Sequence, residues 1–289
     1  MGWMRERSGV AHDRAVMPMR YGFADTLTGQ LHFRACGAGP DIVLLPWLPA
    51  SGRMYENIMP QLARAGFRAI AFDIAGSGRS HKKNRNWTVQ QYATDILEAC
   101  SSLHTVPYTV IGGRFSASIA VEMLLASPAQ VTGAVLDGVP GLAPEELRKM
   151  NAPTVGLSPK LADDGGYRSF AFDVMLRTLK EWDPSFELTA ETLPLVYEYT
   201  RDYLELGYEA ICAGAEGAKP SHDVLARLGD VSQRVLVMTS DADILAPAYT
   251  RALERARNSR GHKFEGNHPI LNPARSAEYA QVLVSFARR

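Results

Sequence analysis

Cysteine is scarce in this chain, and its spacing excludes two kinds of stabilising site. The three cysteines, Cys36, Cys100 and Cys212, lie far apart and form no Cys-x-x-Cys pair. Structural zinc sites and disulfide frameworks need paired or closely spaced cysteines. We therefore expect no zinc site and no disulfide, and a reducing cytoplasm as the compartment. The sequence also has no metal-ligand spacing and no complete phosphate-binding glycine loop, so we expect no metal and no cofactor.

Net charge is lacking as well, because 31 Lys and Arg balance 31 Asp and Glu. A balanced chain gives no electrostatic reason to bind nucleic acid or an anionic membrane. No apolar run approaches the length of a membrane span. Residues 1–20 contain no continuous apolar stretch, so we expect a flexible leader there and not a secretory signal. The partner we expect is a small-molecule substrate, with a homodimer as an alternative to a monomer.

Short apolar runs alternate with amphipathic or small-residue segments along most of the chain. Such runs, bounded by Gly and Pro, are typical of buried parallel strands. They predict strands at 31–35, 41–45, 67–73, 108–112, 131–137 and 234–238, and helices at 54–65, 89–103, 116–126 and 276–286. Strands that alternate with helices indicate an α/β fold with a doubly wound, mostly parallel sheet.

The alternation stops at residue 142, and the pattern is helical from there to about residue 226. An insertion between two strands of one sheet is expected to cover the carboxyl ends of the strands, where open α/β sheets bind ligands. We therefore predict a leader at 1–20, a core at 21–141 and 227–289, and a helical cap at 142–226. Four aromatic residues of the cap either line an apolar pocket or pack its helices together: Phe170, Phe172, Trp182 and Tyr197.

Four motifs give the chain its resemblance to the α/β-hydrolase superfamily, over most of its length outside the leader and cap. Residues 44–51, Leu-Leu-Pro-Trp-Leu-Pro-Ala-Ser, stand where that family has a strand followed by His-Gly-x-Pro. Residues 71–80 resemble its Asp-x-x-Gly-x-Gly-x-Ser turn, with Asp73 as a structural residue. Residues 110–120 occupy the nucleophile elbow, and residues 240–243 and 266–269 stand where the family places its acid and its histidine, in the family's order.

Arg114 occupies the elbow position where the resemblance implies a serine. The elbow motif Gly-x-Ser-x-Gly needs small residues on both sides of a sharp turn, and Gly112 and Ser116 supply them. Reading Ser116 as the nucleophile instead places Arg114 where a glycine is wanted. A guanidinium has no lone pair to donate, so the covalent acyl-enzyme route is closed in the Arg114 register.

The other members of the predicted site follow from the same resemblance. Asp243 and His268 are expected to form an acid–histidine dyad, in which the carboxylate fixes the imidazole tautomer. Asp137, at a strand end, is an alternative acid, although a turn-capping role is the simpler interpretation. Arg114, at a helix N-terminus, is expected to hold an anionic or carbonyl group of the substrate, or else to plug a dead site through a salt bridge.

The oxyanion site is predicted from position alone. The backbone amides of Leu48 and Phe115 are the candidate donors, because oxyanion holes use backbone N–H groups. Trp47 replaces the glycine that the resemblance implies, and we expect it to narrow the pocket or reshape the loop.

Three functions stay open on the sequence. The first is an enzyme that uses His268 and Asp243 for acid–base chemistry without a covalent intermediate: a lyase, isomerase, cyclase or direct hydrolase acting on a small apolar substrate. The superfamily offers precedents in hydroxynitrile lyases and cofactor-free oxygenases. The second is a non-catalytic small-molecule binding protein on a dead hydrolase site. The third is an esterase that uses Ser116.

Overall fold

Eight strands form one sheet in the computed structural model, which describes residues 17–82, 87–105, 107–146, 166–182, 185–206 and 222–289. The sheet order is β1-β2-β4-β3-β5-β6-β7-β8. β1, β2 and β4 pair antiparallel, and every other neighbouring pair is parallel. The strands are β1 (Arg20–Thr26), β2 (Gly29–Gly37), β3 (Asp41–Leu45), β4 (Arg68–Phe72), β5 (Tyr108–Gly113), β6 (Val131–Asp137), β7 (Arg234–Ser240) and β8 (Ser259–Phe264).

Helices cover both faces of this sheet. α1 (Met59–Arg64) and α8 (Ser276–Ala287) pack on one face. Four helices pack on the other face: α2 (Val89–Ser102), α3 (Phe115–Ala126), α6 (Val224–Leu228) and α7 (Ala246–Arg255). β3 and β5 are buried along their whole lengths, as expected of parallel strands covered on both faces. The predicted doubly wound, mostly parallel α/β fold is confirmed. None of the described helices is long and apolar enough to span a membrane.

The elements that the apolar pattern missed lie at the periphery of the sheet. β1 and β8 are its two edge strands, and neither contains an apolar run. Only Ala24 of β1 and Phe264 of β8 are buried, because one side of each edge strand faces solvent. The predicted helix at 54–65 is replaced by a short 3-10 helix, Gly52–Tyr55, followed by α1.

Two long helices follow β6 within the predicted cap, α4 (Gly166–Trp182) and α5 (Leu193–Glu205). Their buried residues Met175, Leu179, Val196 and Tyr199 form one apolar cluster with Trp47 and Ala50 of the loop after β3. The inserted helices therefore contact the loop beside the elbow. The division into leader, core and cap stays a prediction, and residues 1–16, 147–165 and 207–221, including Cys212, lie outside the described residues.

The turn after β4 is held by the predicted structural residue, Asp73. Its two carboxylate oxygens accept from His32 Nδ1 (2.9 Å), Arg34 Nη1 (2.7 Å) and the backbone N–H groups of Gly52 (2.9 Å) and Arg79 (3.0 Å). Burial alone would raise the pKa of Asp73, but these donors outweigh it and lower the pKa to about 2. The carboxylate thereby ties β2, the loop after β3 and the turn after β4 together.

Candidate active site

The turn between β5 and α3 has the strained backbone of a nucleophile elbow, and Arg114 stands at its tip. Arg114 has φ 53° and ψ −120°, in the positive-φ region that non-glycine residues seldom adopt. A Cβ at Gly112 would overlap the carbonyl oxygen of Ser116. The small residue before the tip is therefore required by close backbone packing, which supports the register with Arg114 at the tip.

The Arg114 side chain is turned into the protein, where only 7% of the residue is exposed. Its Nη2 lies 3.2 Å from Oδ1 of Asp243, and its Cζ lies 4.5 Å from the centroid of the Trp47 indole. Asp243 Oδ1 also accepts from the Leu245 backbone N–H at 2.8 Å. The guanidinium is thus held by a buried carboxylate on one side and an aromatic face on another.

Trp47 occupies the space between the elbow and the histidine. It is fully buried, and a Cβ at Gly113 would overlap its Nε1. Its ring also meets the His268 ring edge to face, with the centroids 4.9 Å apart. The indole thus contacts both Arg114 and His268, and its effect on a pocket stays a prediction.

His268 pairs with Asp137, so the predicted His268–Asp243 dyad is wrong. His268 Nε2 lies 2.9 Å from Asp137 Oδ1, and Tyr279 donates its hydroxyl to Asp137 Oδ2 at 2.7 Å. The physical reason lies in the arginine: Asp243 faces the Arg114 cation, whereas Asp137, at the end of β6, faces the imidazole. Asp137 is the alternative acid that the sequence indicates, because it lies at the end of a strand.

Both ring nitrogens of His268 form hydrogen bonds. Nδ1 accepts from the Ile270 backbone N–H at 3.3 Å, so Nε2 carries the proton that Asp137 accepts. Burial and the Asp137 charge raise the pKa of Tyr279 well above its usual value, which keeps the phenol a donor. The sequence offered no signal for Tyr279, which lies on the last helix, 142 residues from Asp137 along the chain.

Sequence and structural comparisons bear on this geometry. A model of the α/β hydrolase fold family matches residues 40–163. A zearalenone hydrolase of Bionectria ochroleuca is 32% identical over 108 residues, which are 36% of this chain and 41% of the relative. A putative non-heme haloperoxidase of Mycobacterium phage D29 is 32% identical over 100 residues, 35% of this chain and 36% of the relative. The matched segments thus span less than half of these relatives.

The structure extends the similarity to the whole fold. An esterase from Exiguobacterium antarcticum superposes with a TM-score of 0.69 at 21% identity, over 92% of this chain and 99% of that chain. This chain has the α/β-hydrolase fold. At this level of identity the superposition establishes the fold alone.

Ser116 does not take the place of the superfamily's nucleophile. Its hydroxyl is buried and donates to the Pro46 carbonyl oxygen at 2.6 Å, across the turn from β3. His268 meets a carboxylate and a backbone amide, and neither of these contacts is a serine hydroxyl. The geometry thereby contradicts the esterase interpretation through Ser116.

The predicted oxyanion donors lie beside the elbow, but nothing tests their role. Phe115 is the first residue of α3, and its ring packs edge to face against Tyr92, 5.4 Å between centroids. Leu48 is partly buried and packs against the core. That their amides bind an oxyanion stays a prediction.

The aromatic residues of the insertion are expected either to line an apolar pocket or to pack its helices. Those that the structure describes do not line a pocket. Tyr197 is 59% exposed, whereas its neighbour Phe172 is partly buried and packs against the apolar cluster around Trp47. Beneath these helices a cavity of about 30 Å³ lies between Met54, Tyr199 and Ile270. A cavity of that size holds about one water molecule. Phe170 is partly buried, and the Trp182 side chain lies outside what is described.

Proposed function

We propose that this chain is a non-catalytic small-molecule binding protein built on the α/β-hydrolase fold. The observation that carries the proposal is the Arg114–Asp243 ion pair, 3.2 Å long, buried and stacked on Trp47 at the tip of the elbow. The proposal is supported because this pair joins a cation at the tip of the elbow to the carboxylate at the expected acid position. Similarity to the matched relatives by itself favours an enzyme, since they bear enzyme names.

Acyl-enzyme chemistry needs a nucleophile next to a base. A guanidinium does not supply one, and the Ser116 hydroxyl is directed to Pro46 O. The base is turned away too, because the His268 lone pair at Nδ1 faces the Ile270 amide. Each group of a serine hydrolase is therefore replaced or bound by another part of the protein.

A fluorophosphonate probe tests the loss of covalent chemistry, because it labels activated serines. We expect no labelling of the wild type. We also expect no labelling of the Arg114→Ser variant. Trp47 packs against Gly113 beside the new serine, and His268 is bound to Asp137, so the serine has no base to activate it. Ser116→Ala is the matched control, and labelling that disappears in this variant would restore the esterase interpretation. Labelling of Arg114→Ser would mean that His268 still serves as a base.

Recovery of the ligand after incubation is the second test of a binding function. Zearalenone, which the first relative's name carries, and a set of small lactones and esters are incubated with the protein and recovered. We expect any compound that binds to return chemically intact after long incubation. A product that forms with the wild type but not with His268→Gln would overturn the proposal.

Acid–base catalysis without a covalent intermediate is the second candidate, with Asp137 in place of Asp243. One observation favours it: His268, Asp137 and Tyr279 form a hydrogen-bonded chain that is almost wholly buried. Buried titratable groups of this kind are enriched at catalytic sites, although structural networks also contain them. In this mechanism His268 Nδ1 exchanges the Ile270 amide for a substrate proton, and Arg114 stabilises the developing negative charge.

Deuterium exchange separates the two candidates. Enolisable ketones and lactones incubated in D₂O with an enzyme of the second kind acquire deuterium at the carbon beside the carbonyl group. We expect no exchange above the rate of His268→Gln, which keeps a polar side chain of similar size but no base. Exchange that depends on His268 and weakens in Asp137→Asn would replace the first proposal with the second.

A further inference from the structure

A groove of about 760 Å³ lies between β7, β8 and α8, remote from the elbow. Its lining begins with Arg234 and Val235 at the start of β7 and includes Arg260 to His262 of β8. The elbow and the loop that carries Asp243 follow the carboxyl ends of their strands. The groove, in contrast, begins near the amino ends of β7 and β8. The groove is thus a separate site, and its volume lies within the range of small-molecule pockets.

Its charge is positive. Arg234 and Arg260 line it, and neither has an Asp or Glu carboxylate within 4 Å in the part of the chain that the structure describes. Arg234 donates to two neutral acceptors, the Phe286 carbonyl oxygen and the Thr109 hydroxyl. The acidic residue of the lining, Glu278, is paired through both oxygens with Arg275, at 2.9 and 3.0 Å.

Its inner surface is apolar. Leu236, Val282 and Phe286 contribute side chains of the core cluster on the α8 face of the sheet. The Arg234 guanidinium lies over the Phe286 ring, 4.5 Å from its centroid, so one cation is already fixed beside an apolar surface. Burial lowers the pKa of Arg234 from its high ordinary value. An anionic partner would offset that desolvation cost.

We propose that this groove binds an amphipathic anion, a carboxylate joined to an apolar chain or ring. The carboxylate meets Arg260 and Arg234, and the apolar part packs on Val282, Leu236 and Phe286. Guanidinium groups match the geometry of carboxylates, and the apolar surface supplies the larger part of the affinity. This assignment rests on the proposed binding function and adds to it a site and a ligand class.

A second copy of the chain fits the groove less well. Antiparallel pairing of two β8 strands around Gly261 would place Arg260 of each chain opposite His262 of the other. The two Arg260 side chains would then occupy diagonal positions on the same face, within reach of each other, where two guanidinium groups repel. The basic edge strand therefore favours an anionic small molecule over self-association.

Titration calorimetry with decanoate, below the concentration at which it aggregates, tests the site. We expect saturable binding with one ligand per chain, at least tenfold weaker binding of neutral decanamide, and weakening as NaCl rises. Arg260→Glu should weaken decanoate binding at least tenfold, since it reverses an exposed charge of the lining. Arg20→Glu, at an exposed arginine of β1 on the opposite edge of the sheet, is the matched control and should bind as the wild type does.

Three results would overturn the site: no saturable decanoate binding, equal affinity for decanamide, or unchanged affinity in Arg260→Glu. Amide shifts in an NMR titration provide the location, and we expect them on β8 and α8. Shifts confined to α4 and α5 would place the ligand elsewhere. Failure of these tests leaves the elbow proposal standing, because that proposal is tested separately by probe labelling, turnover and deuterium exchange.

Discussion

Two buried arginine–aspartate pairs lie at the ends of strands in this protein, and they differ in completeness. Asp73 accepts four hydrogen bonds, two on each carboxylate oxygen. Asp243 has Arg114 and the Leu245 amide on Oδ1, whereas Oδ2 has no hydrogen-bond partner among the described residues. Both carboxylate oxygens of Asp73 are thus satisfied, whereas only one oxygen of Asp243 is.

The difference follows the sequence motifs. Asp73 belongs to a turn that matches the superfamily pattern, and the surrounding donors suit a carboxylate at that position. Arg114 departs from the pattern, and it pairs with a residue whose site in the superfamily serves a histidine. In this structure Asp243 pairs with the Arg114 cation, and His268 pairs with Asp137.

The largest effect is expected at the complete network. Asp73→Asn leaves the buried Arg34 cation without its closest carboxylate, and should lower the free energy of unfolding by about 4 kcal/mol. Urea unfolding measures the change. Asp230→Asn, whose side chain is 62% exposed, is the control and should change stability by less than about 0.5 kcal/mol. A loss below about 1 kcal/mol at Asp73 would mean that the two clusters do not differ as described.

A smaller loss is expected at the elbow, because its carboxylate is already incompletely satisfied. Arg114→Met leaves Asp243 buried without a cation and should cost about 3 kcal/mol. Adding Asp243→Asn to the same chain should recover most of that loss, since no buried charge is left alone. Two losses that simply add in the double variant would show that Arg114 and Asp243 do not interact.

The contribution of Asp73 to the free energy of unfolding should be lost at acidic pH, when its carboxylate is protonated. The folded pKa of Asp73 is about 2, below the unfolded value near 4. The stabilisation is therefore fully present above about pH 4 and is lost as the pH falls toward 2, in total about 2 kcal/mol. Unfolding at a series of pH values measures this slope, and Asp73→Asn should lack it. A slope that persists in the variant would assign it to other carboxylates.

The smallest effect on stability is expected from the elbow backbone. There a glycine variant should be more stable than the alanine variant, whereas in a helix the order is the reverse. At φ 53°, glycine is less strained than alanine, so Arg114→Gly should be about 1 kcal/mol more stable than Arg114→Ala. In the interior of the helix α7 the order reverses, and Arg251→Gly should be about 1 kcal/mol less stable than Arg251→Ala. The same order at both positions would contradict the elbow geometry.

The sequence predicted the parts of the fold that depend on local pattern. The limits of β3 and β6 agree with the apolar runs, since buried parallel strands contain little else. β8, Ser-Arg-Gly-His-Lys-Phe, was missed because a polar edge strand has no such run. The partner of His268 was missed for another reason: the choice between Asp137 and Asp243 depends on which carboxylate the Arg114 side chain reaches, and spacing along the chain does not specify that.

Turnover that depends on His268 is the most direct test of the central claim, that the elbow is a closed structural ion pair and not a catalytic site. Zearalenone and a set of small esters and lactones are assayed with the wild type and with His268→Ala at equal concentrations. We predict product formation at the rate of the uncatalysed reaction for both proteins. Wild-type turnover well above that rate, abolished in His268→Ala, would contradict the account.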